Sequence, residues 1–126
     1  MNKPVCLIIG AGAGIGGSVA KKFAQEVYHA HLCRRSDEAG LHRLVSDINE
    51  GGGSATGQLL NAIEDGAIEP LVAEVEETIG PIEVALYNLG AQIGDRALAD
   101  TPPKVFERGW RMGTFGLYRL AFALTP

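Results

Sequence analysis

The stretch that decides the fold is Val5-Cys6-Leu7-Ile8-Ile9-Gly10-Ala11-Gly12-Ala13-Gly14-Ile15-Gly16-Gly17. Its first five residues are continuously apolar and stop at a glycine, the pattern of a short strand buried on both faces. Beyond it, Ile15, Val19, Phe23 and Val27 recur at every fourth position, with Lys21, Lys22 and Gln25 between them. That spacing predicts a helix whose buried face carries those four apolar residues. Between strand and helix lies a loop made of little more than backbone. Its N–H groups can approach an anion closely, and the helix N-terminus adds a dipole and unpaired donors. Gly17-Ser18 carries no lysine, so the loop is not the phosphate-binding loop of a mononucleotide kinase. A glycine loop opening the first βαβ unit points instead to the pyrophosphate of a dinucleotide. A tight structural turn without ligand is the competing reading.

The same alternation continues outward. His29 to Cys33 reads as a second strand, and Asp37 as the cap of a helix with Leu41, Leu44, Val45 and Ile48 on one face. Gly51-Gly52-Gly53 stops that helix. Ser54 to Leu60 is a third strand. Asp65 is placed to cap a helix bearing Ile68, Leu71, Val72, Val75 and Ile79, which Gly80-Pro81 ends. Ile82 to Tyr87 is a fourth strand, followed by a loop from Asn88 to Asp100. Thr101 and Pro102 fit the N-cap and first helical positions of a last helix running toward Leu124. Strands alternating with helices predict an α/β fold, a three-layer Rossmann-like parallel sheet of four strands in the order 3-2-1-4. The whole span 1–126 reads as one NAD(P)-binding domain.

The last helix is apolar on two faces. Phe106, Trp110, Leu117, Leu120 and Leu124 make one stripe; Phe115, Tyr118 and Phe122 make another. One stripe can cover the sheet, and the other needs a second surface. This predicts a homo-oligomer or a partner chain bound through 105–124. The fourth strand, left at the edge, invites association as well.

Composition narrows the function. Of the 126 residues, 46% are hydrophobic and 21% charged, which reads as globular rather than disordered. The net charge of −4 supplies no electrostatic footprint for nucleic acid or an anionic membrane. Two cysteines, Cys6 and Cys33, are too few for a disulfide scaffold or a zinc cage and read as buried thiols. The run Val5 to Ile9 is too short for a signal-peptide core or a membrane span, so a cytoplasmic protein is expected. His29, His31 and His42 fall away from the strand ends where chemistry belongs and read as structural or solvated.

Cys33-Arg34-Arg35 closes the second strand. Arg34 lies near the roughly 20-residue distance at which dinucleotide folds place an acid for the adenosine ribose, or an arginine for a 2′-phosphate. Paired guanidiniums favour NADP(H) over NAD(H). A solvated basic pair is the alternative.

These features together resemble the short-chain dehydrogenases/reductases. Gly10-x-x-x-Gly14-x-Gly16 is similar to their cofactor glycine motif, and Tyr87-Asn88-Leu89-Gly90 to their Asn-Asn-Ala-Gly motif. Gly80-Pro81-Ile82-Glu83-Val84 and the segment from Thr101-Pro102 to Phe115-Gly116 also match, so the resemblance spans nearly the whole chain. It implies hydride transfer between NADP(H) and a carbonyl or alcohol. It also implies a cofactor site whose loop part is Gly10, Gly12, Ala13, Gly14, Ile15 and Gly16. Arg34, Arg35 and Asn61 would hold the adenosine end, and Asn88, Leu89 and Gly90 would border the rest.

The departures bear on catalysis. The chain resembles only the N-terminal half of the family, and the family's catalytic Ser and Tyr-x-x-x-Lys lie in the other half. Tyr28, Tyr87 and Tyr118 are followed four residues on by Leu32, Ala91 and Phe122, never by lysine. The family's active-site Asn falls at Gly113, its adenine-binding acid at Asn61, its motif alanine at Leu89 and its leading Thr at Ile9. Asp95, Arg96 and Asp100 lie in the loop that borders the nicotinamide in relatives and read as surface residues. No catalytic residue is therefore assigned, and this stretch is not expected to catalyse alone. A non-catalytic dinucleotide-binding or protein-interaction module, assembling through the last helix, is the alternative.

Overall fold

Strand β1 (Val5–Ile9) is buried along its whole length because it is paired on both sides. The structure, a computed structural model, describes residues 3–89 and 96–126. After β1 come helix α1 (Ile15–Ala24), β2 (His29–Arg34), α2 (Glu38–Glu50), β3 (Ala55–Leu59), α3 (Ile68–Thr78) and β4 (Ile82–Tyr87). A 3-10 turn (Leu98–Asp100) leads to α4 (Pro103–Trp110), a π turn (Arg111–Phe115) and α5 (Gly116–Leu124). The four strands are parallel in the order β3-β2-β1-β4, as the alternation predicts. Reversal of strand order between β1 and β4 opens a crevice at their C-terminal ends.

Because side chains alternate along a strand, β1 feeds two cores. Val5, Leu7 and Ile9 pack with Cys33, the buried face of α3 and Leu120 of α5. Cys6 and Ile8 pack on the other side with Ala30, Leu32, Ala20 and Ala24 of α1, and Leu41 and Ile48 of α2. Both cysteines are free and buried. Burial pushes the Cys6 thiol up to about 11 and the Cys33 thiol up to about 12. On β4 the register skips Glu83, since Val5 faces Ile82 while Cys6 faces Val84.

Three local expectations are corrected. The expected face of the first helix is only half buried: Val19 and Phe23 pack partly against the core, but Ile15, and Val27 beyond the end of α1, are each 69% exposed. The buried positions are Gly16, Gly17, Ala20 and Ala24. The helix start lies so close to the glycine loop that a Cβ on Gly16 or Gly17 would overlap the carbonyl oxygen of Gly10 or Gly12. Asp65 does not cap α3, whose N-cap is Ala67 without a side-chain bond. It is held instead by Arg119 Nη2 at 2.9 Å and Arg111 Nη1 at 3.4 Å. The last helix is two helices joined by the π turn, and its N-cap is Pro102 with Pro103 leading, one residue later than expected.

The histidines of β2 are structural. Ser54 Oγ lies 2.7 Å from His29 Nδ1, His29 Nε2 lies 2.8 Å from Thr56 Oγ1, and Thr56 Oγ1 lies 2.7 Å from His31 Nδ1. His31 Nε2 ends the chain at Gln58 Oε1, 3.0 Å away. One direction satisfies every group. Each hydroxyl donates to an Nδ1, and each neutral imidazole donates from Nε2. Burial, foremost, pushes both histidines below their ordinary value; His31 and Lys3 add to this at His29, while the Gln58 bond and Glu74 oppose it at His31. His42 is exposed and lies 3.8 Å from Glu38.

Candidate functional site

The crevice is built around one sharp turn. Gly10 has φ +98°, in the left-handed region that favours glycine, and a Cβ there would lie 2.5 Å from the Asn88 carbonyl oxygen. The N–H groups of Gly10 and Ala11 both donate to the Cys33 carbonyl, at 2.9 and 3.0 Å. The Asn88 N–H donates to Ile9 O at 2.8 Å, and its side-chain amide donates to Gly10 O at 3.3 Å. The ends of β1, β2 and β4 are thus tied to the loop, which leaves its far side free.

That far side is open. A Cβ on Gly14 would meet nothing within 4 Å. Ala13, Gly14 and Ile15 are exposed, and the first turn of α1 holds neither a side-chain cap nor an acid. The N–H groups at this helix start therefore have no internal competitor for an anion.

Arg34 closes the site from β2. Its Nη2 lies 3.6 Å from where a Cβ of Gly12 would be, and its Nη1 lies 3.5 Å from Asp37 Oδ2. Asp37 is the N-cap of α2, with φ +58°, and accepts from the Gly40 N–H at 3.1 Å. Arg35 lies on the other side of Arg34, where a cavity of about 30 Å³ is lined by Arg34, Arg35, Asn61, Ala62, Leu89 and Met112 among others. A larger cavity of about 210 Å³ is bounded by Gly12, Ala13, Arg34, Asp37, Gly40 and Arg43 with their neighbours. A concavity of about 430 Å³, larger than either, lies elsewhere, between the C-terminal ends of α1 and α2. It is lined by Lys3, Lys21, Glu26, Asp47 and Gly52, among others, and includes none of the glycine-loop residues.

The structure brings together Gly10, Gly12, Ala13, Arg34, Arg35, Asn61, Asn88 and Leu89, with Gly14, Ile15 and Gly16 beginning the adjoining helix. Gly90 and Asp95 lie outside the described residues. Leu89 turns partly into the core and borders the smaller cavity. Gly113 leaves open space, with nothing within 4 Å of its Cβ position, and offers no polar group. Met112, Asp37, Gly40 and Arg43 also line these cavities, and no sequence motif marks them as binding residues. Asp37 is legible in the sequence only as a cap, and Met112 reaches the site because of the π turn. The arrangement can hold an extended ligand with phosphate at the loop and a flat group beyond Arg34 and Arg35.

Residues 4–126 match the family model described as short chain dehydrogenase. The chain belongs to that family. It is 30% identical to a fatty acyl-CoA reductase of Acinetobacter baylyi over 124 residues, 97% of this chain and 41% of the relative. A 3beta-hydroxysteroid dehydrogenase of Mediterraneibacter gnavus is 30% identical over 89 residues, 71% of this chain and 32% of the relative. Among solved structures, the F189W actinorhodin polyketide ketoreductase with NADPH superposes with a TM-score of 0.86 at 29% identity. That match covers 97% of this short-chain dehydrogenase family chain and 46% of the ketoreductase. A short-chain dehydrogenase from Rhodopseudomonas palustris gives 0.89 at 28% identity, covering 96% and 56%. The chain spans less than half the length of the curated relatives it matches. No helix among the described residues is long and apolar enough to cross a membrane.

Proposed function

We propose that this chain is the cofactor-holding domain of an oxidoreductase and binds NADP(H) in preference to NAD(H). The observation that carries the reading is Arg34, poised over Gly12 at the end of β2. The residues present fit such a cofactor. Gly10 and Gly12 keep the loop backbone bare, and the start of α1 points unpaired N–H groups at the pyrophosphate. Arg34 faces the 2′-phosphate with charge-assisted bonds of about 1.5–3 kcal/mol each. Asn61 replaces an acid beside the adenine, and its amide oxygen can accept from the exocyclic amine. Asn88 fixes the turn through its bonds to Ile9 O and Gly10 O and borders the cofactor with Leu89.

Bound NADP(H) supplies or takes the hydride in exchange with a carbonyl or alcohol. Carbonyl reduction also needs a proton donor near the oxygen. Tyr87 is not that donor, because its hydroxyl is committed to the Met112 carbonyl and burial raises its pKa. Gly113 contributes no polar group. We infer that the acid–base pair comes from residues outside this sequence.

Calorimetric titration with NADPH and then NADH tests the reading. Micromolar NADPH binding, weaker NADH binding and loss of the difference in Arg34→Ala would support it. Absence of heat with both cofactors would overturn it.

A second reading has an observation of its own. Trp110, Phe115, Tyr118 and Phe122 stack in a ladder along the α4–α5 surface, with centroids 4.9, 6.3 and 6.2 Å apart. Trp110, Tyr118 and Phe122 are 44–69% exposed. Such a surface fits assembly through the last helices, as a homo-oligomer or with a partner chain. Sedimentation at micromolar concentration separates the readings, since a monomer that binds cofactor leaves only the first.

A further inference from the structure

Two imidazole nitrogens converge on one oxygen at the β2–β3 ladder. His29 and His31 stand two apart on β2, so their side chains share a face of the sheet. Thr56 lies opposite His31 on β3. His29 Nε2 is 2.8 Å and His31 Nδ1 is 2.7 Å from the same atom, Thr56 Oγ1. The outer nitrogen of each ring is held from behind. Ser54 Oγ holds His29 Nδ1 at 2.7 Å, and Gln58 Oε1 holds His31 Nε2 at 3.0 Å.

That is the arrangement in which histidines take a metal ion. The inner nitrogen faces the ion, and the outer N–H donates to an oxygen that fixes the tautomer and the ring angle. Burial, foremost, lowers both histidines below their ordinary value, so the neutral imidazoles that a metal requires are present at neutral pH. Imidazole bonds zinc at roughly 2.0–2.1 Å, so each ring needs to close by roughly 0.7 Å on the point that Thr56 Oγ1 marks. Thr56 is exposed, so its hydroxyl can turn aside and an ion can arrive from solvent. His31 already carries its proton on Nε2, toward Gln58. His29 moves its proton to Nδ1 and donates to Ser54. Among the described residues no third His, Cys, Asp or Glu joins the pair, so water fills the remaining positions.

We propose that His29 and His31 form a binding site for a late first-row divalent transition-metal ion, with Cu²⁺ held tightest. The site starts at the first residue of β2, at the opposite end of that strand from Arg34 and the crevice. It is therefore independent of the dinucleotide reading. An ion bound there stabilises the folded chain by mass action, because the unfolded chain does not hold the two imidazoles together.

Calorimetric titration of the full chain with copper(II) chloride, in a non-coordinating buffer at neutral pH, tests the proposal. One equivalent should bind in the micromolar range and raise the thermal midpoint. The copper EPR spectrum should carry the splitting of two imidazole nitrogens. His29→Gln should lose at least the roughly tenfold in affinity that an outer-shell change costs at a metal site. Thr56→Val should still bind, because the hydroxyl only occupies the ion's place. His42→Gln, at an exposed position beside Glu38, should change nothing. Should His29→Gln fail to fold, the nitrogen count of the unsubstituted chain decides, and one nitrogen or none overturns the proposal. Absence of copper uptake, full affinity in His29→Gln, or loss of uptake in His42→Gln or in a folded Thr56→Val overturns it as well.

Discussion

The hydroxyl of Tyr87 donates to the main-chain carbonyl of Met112, joining the end of β4 to the π turn between α4 and α5. A side-chain group inserted into a helical ladder is a recognised cause of such a turn. Room for it exists because residue 116 is glycine, where a Cβ would overlap the Tyr87 hydroxyl.

Gly116→Ala should therefore destabilise the chain by about 1–3 kcal/mol, the range for overpacking a tight contact. Adding Tyr87→Phe should recover part of the loss, because it removes the overlapping oxygen. Chemical denaturation of the single and double variants checks this. A double variant no more stable than Gly116→Ala would place the strain elsewhere.

At the glycine loop the same logic couples stability to binding. A Cβ on Gly17 would overlap the Gly12 carbonyl oxygen. Gly17→Ala should cost about 1–3 kcal/mol and displace the loop. Thermal unfolding and cofactor titration should fall together. Full cofactor affinity in a destabilised Gly17→Ala would show that the loop position is not needed.

Acidification should loosen the sheet at β2–β3. His29 and His31 are held below the ordinary value of 6.5, foremost by burial. The unfolded chain then binds more protons than the folded one just below that pH. Their contribution is fully present above pH 6.5 and is lost as pH falls through the lowered folded values. Urea melts at stepped pH should show the midpoint dropping below that point. Thr56→Val, which cuts the chain between the two imidazoles, should lower stability at neutral pH and leave the direction of the dependence, which burial sets, unchanged.

Alkali acts with the opposite sign through the thiols. Cys6 and Cys33 are raised from 9.0 to about 11 and about 12 by burial. Their contribution is complete below pH 9.0 and is lost as pH rises through the folded values, because the unfolded thiols ionise first. At neutral pH, maleimide labelling should follow the unfolding rate. Rapid labelling of the native chain would contradict the burial of both residues.

Strand order, element order and the glycine turn are legible in the sequence because each leaves a strong local signal. Val5 to Ile9 is apolar at every position only because β1 is central, and Gly51-Gly52-Gly53 marks a stop that hydrophobicity alone would miss. The inward face of α1 is illegible for the converse reason. Gly16, Gly17, Ala20 and Ala24 win the close contact by being small, while of the larger residues Val19 and Phe23 reach the core only in part and Ile15 and Val27 stay exposed. Asp65 looks like a cap because Asp often is one, but two arginines more than forty residues downstream claim it in three dimensions. Of the candidate site, the loop and Arg34 are legible from spacing. The Asp37–Arg34 pair depends on a backbone twist, and Met112 depends on the π turn, neither of which has a reliable sequence pattern.

Strand β1 is the shared wall of both cores, with Val5, Leu7 and Ile9 on one side and Cys6 and Ile8 on the other. A slip of one residue would therefore exchange both interiors at once, so the strand has no neighbouring register in which to rest. Its amides should be among the last to trade hydrogen for deuterium, released only when the whole molecule opens, whereas those of the edge strands β3 and β4 escape through smaller, local openings.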